Sequence, residues 1–264
     1  MQQLFVNKTV LITGASSGFG ECMAKEFAKL GANIIAIARR KERLDQLANH
    51  LQEHYKTKVH LLALDISDPK AVDKALDSLP ELFQFPEILI NNAGFVKGLN
   101  KIWETPLDDY NEMIDTNVKG LLNVSSKIIP KMLEKNRGHI INVGSISGHE
   151  TYAGGGVYCA TKHAVAAITD TLRKELVSTP IRVSLISPGM AKTEFSLVRF
   201  FGDERRAESV YENIKPLTAL DVTEIVLFMA SRPPHVTIAD VIVYPTHQAS
   251  VTLIHREENI QKST

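Results

Sequence analysis

The stretch TGASSGFG, from Thr13 to Gly20, separates an apolar run from an amphipathic segment. The run before it, KTVLITG, is typical of a buried strand, and residues 18–30 have the spacing of a helix. Its glycines, at 14, 18 and 20, allow the backbone to turn tightly and to approach a ligand closely. A helix that begins here offers free N–H groups and a positive dipole to a phosphate. The stretch therefore predicts a strand, a phosphate-binding turn and a helix rather than an ordinary strand-to-helix turn.

The same alternation continues along the chain. Six more apolar runs have the length of strands: NIIAIA, KVHLLALD, EILINNAG, GHIINVGS, IRVSLISPG and DVIVYP. Helical spacing occupies residues 41–55, a segment that opens near Asp68-Pro69, and residues 106–135 and 157–178. Strands that are apolar along their whole length and alternate with helices indicate a parallel sheet covered on both faces. We therefore expect an α/β fold, a doubly wound parallel sheet of the Rossmann type, with residues 1–264 as a single domain.

Two regions fall outside this alternation. Residues 190–217 follow the sixth strand and carry mixed charges and aromatic side chains, so we expect them to form a lid over the site. Residues 246–264 form a polar tail. Its inner part, HQASVTLIH, is apolar enough to dock, for example on a neighbouring subunit, and we expect its tip, REENIQKST, to be frayed.

Composition excludes several classes of function. Thirty basic and thirty acidic residues give a formal net charge of +0, which argues against a nucleic-acid partner. Two cysteines, Cys22 and Cys159, fit free thiols in a reducing compartment. No apolar run reaches the roughly 18 residues of a membrane span, and no cleavable signal is evident. His50 and His54 have a metal-like spacing but no third ligand. We expect a soluble, cytoplasmic protein that binds no metal.

The stretch VYCATKH places Tyr158 and Lys162 on one face of a helix, one turn apart. That spacing alone is compatible with ordinary amphipathic surface. Two other polar residues give it a context: Ser145 ends the fifth strand, and Asn117, in DTNVKG, interrupts a helical pattern.

These motifs resemble the short-chain dehydrogenase/reductase family. The likeness rests on the spacing Gly-x3-Gly-x-Gly, on NNAG at Asn91–Gly94 and on Tyr158-x-x-x-Lys162, and it extends from Lys8 to about Pro245. It implies a Rossmann domain that transfers a hydride between a nicotinamide and a CH–OH group.

The resemblance also implies a catalytic role for each of the four polar residues. Tyr158 exchanges a proton with the substrate oxygen, and Ser145 polarises the carbonyl. Lys162 and the positive nicotinamide of the oxidised cofactor lower the phenol pKa, ordinarily near 10, and Lys162 also holds the nicotinamide ribose. The backbone carbonyl of Asn117 holds a water that passes protons to Lys162.

The end of the second strand distinguishes the two nicotinamide cofactors. An acidic residue there would bind the adenosine ribose and select NAD. This chain has Ala38 followed by Arg39 and Arg40, two guanidiniums suited to a 2′-phosphate. The alternative is two solvated arginines at a helix start. We predict NADP as the cofactor.

The resemblance assigns the other cofactor contacts to four stretches. They are Gly14, Ser16, Ser17, Gly18, Phe19 and Gly20 in the glycine loop; Asp65 and Ile66 at the adenine; Asn92, Ala93 and Gly94 after the fourth strand; and Pro188, Gly189, Met190 and Thr193 at the nicotinamide. For Asp65 a helix cap is the alternative, and NNAG can also be largely structural.

Three further stretches, YAGGGVYCATK, TEFSLVRFFGDERRAESVY and YPTHQAS, resemble the NADP-dependent 3-hydroxy acid dehydrogenase branch of the family. That branch oxidises L-allo-threonine, serine and 3-hydroxypropionate-type acids, or reduces the corresponding carbonyls. A short acid needs a cation for its carboxylate. Arg199 is our candidate, with Arg205 and Arg206 as weaker ones, and a solvated charge run is the alternative. His149 and Tyr152 are candidates for the substrate mouth.

Two other functions stay open: a reductase of bulkier ketones or 3-oxoacyl groups, and a regulator that binds NADPH without turnover. A complete set of four catalytic residues argues against the regulator.

The helix over residues 157–178 has a second face of mostly small side chains: Ala160, Ala164, Ala167, Ile168 and Thr171. With residues 106–135 this face can pack against a second copy by twofold symmetry. The family commonly forms tetramers in this way, so we expect a homotetramer or a homodimer.

Overall fold

The computed structural model describes residues 4–257. Its strands are β1 Thr9–Thr13, β2 Asn33–Ala38, β3 Val59–Ala63, β4 Ile88–Asn91, β5 Gly138–Val143, β6 Ile181–Pro188 and β7 Asp240–Val243. Its α-helices are α1 Gly18–Lys29, α2 Lys41–Tyr55, α3 Pro69–Asp77, α4 Leu107–Ile114, α5 Leu121–Glu134, α6 Gly156–Glu175, α7 Phe195–Arg199, α8 Glu204–Ser209 and α9 Ala219–Ala230. Short 3₁₀ turns lie at Glu81–Phe83, Ile102–Glu104 and Ile146–Gly148, and a π-helical stretch lies at Asp115–Gly120.

The strands form one parallel sheet in the order β3-β2-β1-β4-β5-β6-β7. This confirms the predicted doubly wound α/β fold. The strand order reverses between β1 and β4, where connections leave towards opposite faces of the sheet. Open α/β sheets bind their ligands at such a point, beyond the carboxyl ends of the strands.

Two apolar cores cover the two faces of the sheet. Val10 and Ile12 of β1 point into one core together with Phe27 of α1, while Leu11 points into the other together with Ile128 of α5. Successive residues of a strand face opposite sides, so a strand with a core on each side must be apolar throughout. This is the physical reason for the unbroken apolar runs in the sequence.

Helix α9 is an element that the sequence analysis did not identify. Its residues are apolar on most sides, so the helical period is weak. Its start carries a capping box, in which the Thr218 side chain accepts from the Asp221 N–H and the Asp221 carboxylate accepts from the Thr218 N–H. Thr218 and Asp221 are therefore the sequence feature from which the start of this helix could have been predicted.

The two ends of the lid segment, residues 190–217, are hydrogen-bonded to each other. The Leu217 N–H donates to the Met190 carbonyl, and the Lys192 N–H donates to the Leu217 carbonyl. Helices α7 and α8 lie between these ends.

The described part of the tail, residues 246–257, contacts its own chain. The Val251 N–H donates to the Glu150 carboxylate at 3.1 Å, and the Arg256 guanidinium donates to the Val210 carbonyl at 3.1 Å. Most of the tip that we expect to be frayed lies outside the described residues.

None of the helices within residues 4–257 has the length and apolar character that crossing a membrane requires. Within the same range, no group of three or more His, Cys, Asp or Glu side chains is arranged to hold a metal ion.

Candidate active site

A cavity of about 500 Å³ opens at the carboxyl ends of the central strands. Of the predicted cofactor contacts, all except Gly20 line it. Ser145 and Arg199 line it as well, whereas Asn117 does not. The topology thus brings together residues from β1, β2, β4, β5, β6, α6 and the lid segment.

The glycine loop closes tightly on the end of β4. Gly14 has φ +67°, and a Cβ there would lie 2.9 Å from the Ala93 Cα. The Asn92 side chain donates to the Thr13 carbonyl at 2.9 Å and so ties β4 to this loop. Only a residue without a side chain allows this approach at Gly14, and the loop residues from Ser16 to Phe19 line the cavity.

Gly20 lies behind the glycine loop and not at the wall of the cavity. It is buried and does not line the cavity. A Cβ at Gly20 would lie 2.3 Å from the Gly14 carbonyl oxygen, so the glycine allows α1 to begin directly against the loop. The structure thus shows close packing at Gly20, and a contact of Gly20 with the cofactor stays a prediction.

The two arginines after β2 differ in their partners. Arg40 donates through Nη2 to the hydroxyls of Ser16 at 3.1 Å and Ser17 at 2.7 Å. Its Nη1 lies 3.0 Å from Oε2 of Glu194, a lid-segment residue that the sequence analysis missed. Arg39 is 63% exposed, and its Nη1 lies 3.8 Å from the Asp65 carboxylate. Arg39 is therefore the less restrained of the two.

Asp65 is not a helix cap. Its Oδ1 accepts from the Ser67 N–H at 2.9 Å and from the Ser67 hydroxyl at 2.8 Å. The cap of α3 is Asp68, which accepts from the Lys70 and Ala71 N–H groups. The structure thus contradicts the alternative interpretation, and Asp65 lines the cavity.

Tyr158 and Lys162 lie one turn apart on α6, each only 5% exposed. The Lys162 Nζ donates to the Val143 carbonyl at 2.9 Å and lies 5.9 Å from the Tyr158 ring centroid. Burial lowers the pKa of Lys162 to about 8. Burial also raises the pKa of Tyr158 well above its ordinary value, and the Ser145 hydroxyl and Arg199 offset only part of that.

The Tyr158 pKa in this structure is thus raised, and a lowering by Lys162 and the oxidised nicotinamide together stays a prediction. The phenol is buried, and removing a phenolate from water costs more than the neighbouring groups return. Ser145, at the end of β5, lies beside the phenol, and its Oγ also accepts from the Ser147 N–H at 3.1 Å.

Asn117 lies in the π-helical stretch, as the interrupted helical pattern indicated. Its Oδ1 accepts from the Phe95 N–H at 3.0 Å, and its Nδ2 donates to the Phe95 carbonyl at 2.9 Å and to Thr161 Oγ1 at 3.1 Å. The side chain thus joins the β4 loop to α6. A role for the Asn117 backbone carbonyl in proton transfer stays a prediction.

Arg199 reaches the cavity from the lid segment. Its Nη2 donates to the Tyr152 hydroxyl at 3.1 Å, and its guanidinium lies 5.5 Å from the Phe195 ring centroid. Its Nε is buried and has no hydrogen-bond partner among the described residues. An unpaired buried donor is costly, so this nitrogen marks a place for an acceptor.

Three weaker candidates lie elsewhere. Arg205 and Arg206 are exposed and do not line the cavity, which favours the solvated charge run. His149 bonds Ser187 Oγ at 2.9 Å and does not line the cavity either, whereas Tyr152 does.

Gln248 is a second residue that the sequence analysis missed. It is 6% exposed, and its Oε1 accepts from the Met190 N–H at 2.7 Å. The backbone N–H of Met190, one of the residues predicted at the nicotinamide, is thus hydrogen-bonded to the tail. The only sequence signal was that Gln248 lies in YPTHQAS, a stretch the resemblance had already singled out.

Comparison with known proteins agrees with this geometry. The family model described as short chain dehydrogenase matches residues 8–199. An NADP-dependent 3-hydroxy acid dehydrogenase of Schizosaccharomyces pombe is 44% identical over 252 residues, which are 95% of this chain and 97% of that protein. Sulfoacetaldehyde reductase 2 of Chromohalobacter salexigens is 43% identical and covers 91% of this chain and 95% of its own.

A solved structure of serine dehydrogenase, in a closed form complexed with NADP+, is also similar. It is 41% identical with a TM-score of 0.88, and the match covers 94% of this chain and 100% of that chain. The family match, these identities and the cavity at the predicted strand ends lead to one conclusion: the chain belongs to the short-chain dehydrogenase family.

Proposed function

We propose that the protein is an NADP-dependent oxidoreductase that transfers a hydride between the nicotinamide and a short 3-hydroxy acid or the corresponding carbonyl. One observation carries this proposal. A single cavity has Arg39 and Arg40 at one end, the buried pair Tyr158 and Lys162 in the middle, and Arg199 with its unpaired Nε nearby.

The residues present fit an NADP molecule. The glycine loop leaves space that a side chain at Gly14 would close, and it faces the cavity with backbone donors suited to a pyrophosphate. The ends of β2 and of β3 supply Arg39, Arg40 and Asp65 for the adenosine. Met190, whose N–H is held by Gln248, borders the cavity after β6, and Thr193 borders it beside Gly18 of the glycine loop. When bound, NADP supplies the hydride acceptor, and its reduced form supplies the hydride.

Residues of this chain transfer the proton to and from the substrate oxygen. In reduction the Tyr158 hydroxyl gives its proton to the substrate oxygen, and in oxidation the phenolate takes it back. Ser145 donates a hydrogen bond to the same oxygen and orients it. Lys162, held by the Val143 carbonyl, keeps a positive charge beside the phenol and binds the nicotinamide ribose. Asn117 fixes the position of α6 through Thr161.

The acid group of the substrate fits Arg199. A carboxylate at its Nε and Nη nitrogens would satisfy the donor that the described residues leave unpaired. The relatives support this choice, since their names include a 3-hydroxy acid, serine and sulfoacetaldehyde, all compounds with an acid group.

The deciding experiment compares kcat/KM with NADP for L-allo-threonine, serine, 3-hydroxypropionate and a bulky neutral alcohol. We expect the short acids to exceed the bulky alcohol. The reverse order would favour the reductase of bulkier carbonyls. A change in cofactor fluorescence without any change in the absorbance of the reduced nicotinamide would favour the non-catalytic regulator.

We predict that Arg39→Ala raises KM for NADPH by roughly tenfold or more, because a hydrogen bond to a charged group contributes about 1.5–3 kcal/mol. The kcat/KM with NADH should change little. Arg205→Ala, which removes an exposed arginine outside the cavity, is the matched control. An unchanged KM for NADPH in the Arg39 variant, or equal kcat/KM of the wild type with both cofactors, would contradict the NADP assignment.

We also propose that residues 1–264 act as one cytoplasmic catalytic domain that assembles as a homotetramer. Ala160, Ala167 and Thr171 are exposed on α6, which leaves the small-residue face open to a second copy. Light scattering at micromolar concentration should give about four times the chain mass of 29.2 kDa. A monomer would contradict the assembly, and cell fractionation checks the location.

A further inference from the structure

Glu194 lies between two arginines of another part of the chain. Its Oε2 is 3.0 Å from Arg40 Nη1, and its Oε1 is 3.2 Å from Arg43 Nη1. Arg40 and Arg43 belong to the turn after β2 and to α2, whereas Glu194 belongs to the lid segment. The carboxylate therefore joins the lid segment to the edge of the cavity where Arg39 and Arg40 lie.

The charges favour an ionised carboxylate at this position. Burial opposes ionisation of Glu194, but the hydrogen bond and charge of Arg40, together with the charge of Arg43, outweigh it, and the pKa lies below its usual value. Arg40 is at the same time held by Ser16 and Ser17 through Nη2, and Nη1 is the nitrogen that pairs with Glu194. Arg40 Nη1 therefore already donates to the Glu194 carboxylate of the same chain.

The lid segment crosses the glycine loop beside this contact. A Cβ at Gly18 would lie 3.4 Å from the Thr193 Cβ, so the residue before Glu194 lies directly beside the loop. A phosphate that approaches Arg40 from the cavity therefore meets the Glu194 carboxylate, and two anions at one guanidinium repel each other.

We propose that Glu194 is an internal competitor for the 2′-phosphate of NADP: its carboxylate occupies the anion site at Arg40 and must be displaced when the phosphate binds. This inference rests on the NADP preference proposed above. It makes Glu194 a specificity-determining residue whose charge weakens the binding of 2′-phosphorylated nucleotides. A nucleotide without that phosphate leaves the Arg40–Glu194 pair intact.

A positioning role for Glu194 predicts the opposite change in the affinity for 2′-phosphorylated nucleotides. If the carboxylate served to hold Arg40 and Arg43 ready for the phosphate, its removal would weaken the binding of 2′-phosphorylated nucleotides. The two roles are therefore separated by the direction of one change in affinity.

The test measures Kd by calorimetry for 2′,5′-ADP and for 5′-AMP, two nucleotides that differ in the 2′-phosphate and lack the nicotinamide. In Glu194→Gln we expect 2′,5′-ADP to bind roughly fivefold more tightly, the upper end for a partly exposed ion pair. Binding of 5′-AMP should stay within about twofold of the wild type. Glu208→Gln removes another lid-segment glutamate, which pairs with Lys192 at 2.7 Å outside the cavity, and should bind both nucleotides like the wild type.

Unchanged or weaker binding of 2′,5′-ADP by Glu194→Gln would overturn the inference while leaving the NADP preference intact. Equal tightening of both nucleotides would overturn it too, because the effect would then come from the lid segment in general. Equal wild-type affinities for the two nucleotides would overturn the NADP preference and this inference with it.

Discussion

Tyr158→Phe should lower kcat by about 10²–10⁴-fold, the range that a positioned general acid contributes. The substitution removes one oxygen and keeps the ring, which packs against Phe95 and Met113 and meets the Phe195 ring edge-on at 5.6 Å. The fold and the binding of NADP should therefore persist, and the loss should fall on the chemical step. Steady-state kinetics with NADP and L-allo-threonine measure it.

A matched control is available in the same apolar cluster. Tyr110 packs against the cluster that contains Tyr158 but does not line the cavity, so Tyr110→Phe should keep nearly full kcat. Retention of more than a few per cent of kcat by Tyr158→Phe would remove Tyr158 from the proton transfer, and equal losses in the two variants would point to packing instead.

The dependence of rate on pH is a second measurement of the same assignment. Burial raises the pKa of Tyr158, so the phenol is protonated at neutral pH, which is the form that reduction needs. Oxidation needs the phenolate, so its kcat/KM should rise with pH up to about 8, where Lys162 is still charged. Lys162 loses its proton as pH rises through about 8, so reduction should decline above that value. Profiles with the opposite slopes would contradict these roles.

The strands could be predicted closely because their signal is local. The run NIIAIA is the strand Asn33–Ala38, and the glycine loop lies where its spacing placed it. The clustering of the candidate site residues could be predicted for a related reason: Tyr158 and Lys162 share one helix face, and the ends of parallel strands meet at one edge of the sheet. The position of each residue along its strand or helix was therefore sufficient to predict that these residues lie close together.

The contacts made by Glu194 and Gln248 could not be predicted in this way. Glu194 meets Arg40 across 154 positions of the chain, and Gln248 meets Met190 across 58. Such pairs depend on where the lid segment and the tail pack in the folded chain. The periodicity of apolar residues within one element does not contain this information. The same holds for the Tyr158 pKa. The effects expected of Lys162 and of the oxidised nicotinamide are pairwise effects, whereas burial by the whole fold raises the pKa in this structure.

The second large effect concerns the acid group of the substrate, and it follows from the setting of Arg199. Its guanidinium donates to the Tyr152 hydroxyl, stacks near Phe195 and forms no ion pair among the described residues. Its charge also acts on the Tyr158 phenol, which places it near the atom that exchanges the proton. A carboxylate bound there would hold a 3-hydroxyl group within reach of Tyr158.

Arg199→Leu should therefore raise KM for L-allo-threonine by roughly tenfold to a hundredfold, since each hydrogen bond to a charged group contributes about 1.5–3 kcal/mol. The kcat/KM for a short neutral alcohol should be unchanged, because it has no carboxylate to lose. Leucine also leaves no buried charge behind, so the fold should be retained. Arg206→Leu removes an exposed arginine that stacks on Phe200 outside the cavity and is the control. If KM for L-allo-threonine stays the same in Arg199→Leu, the carboxylate binds elsewhere, and the unpaired Nε then has to be explained by a different acceptor.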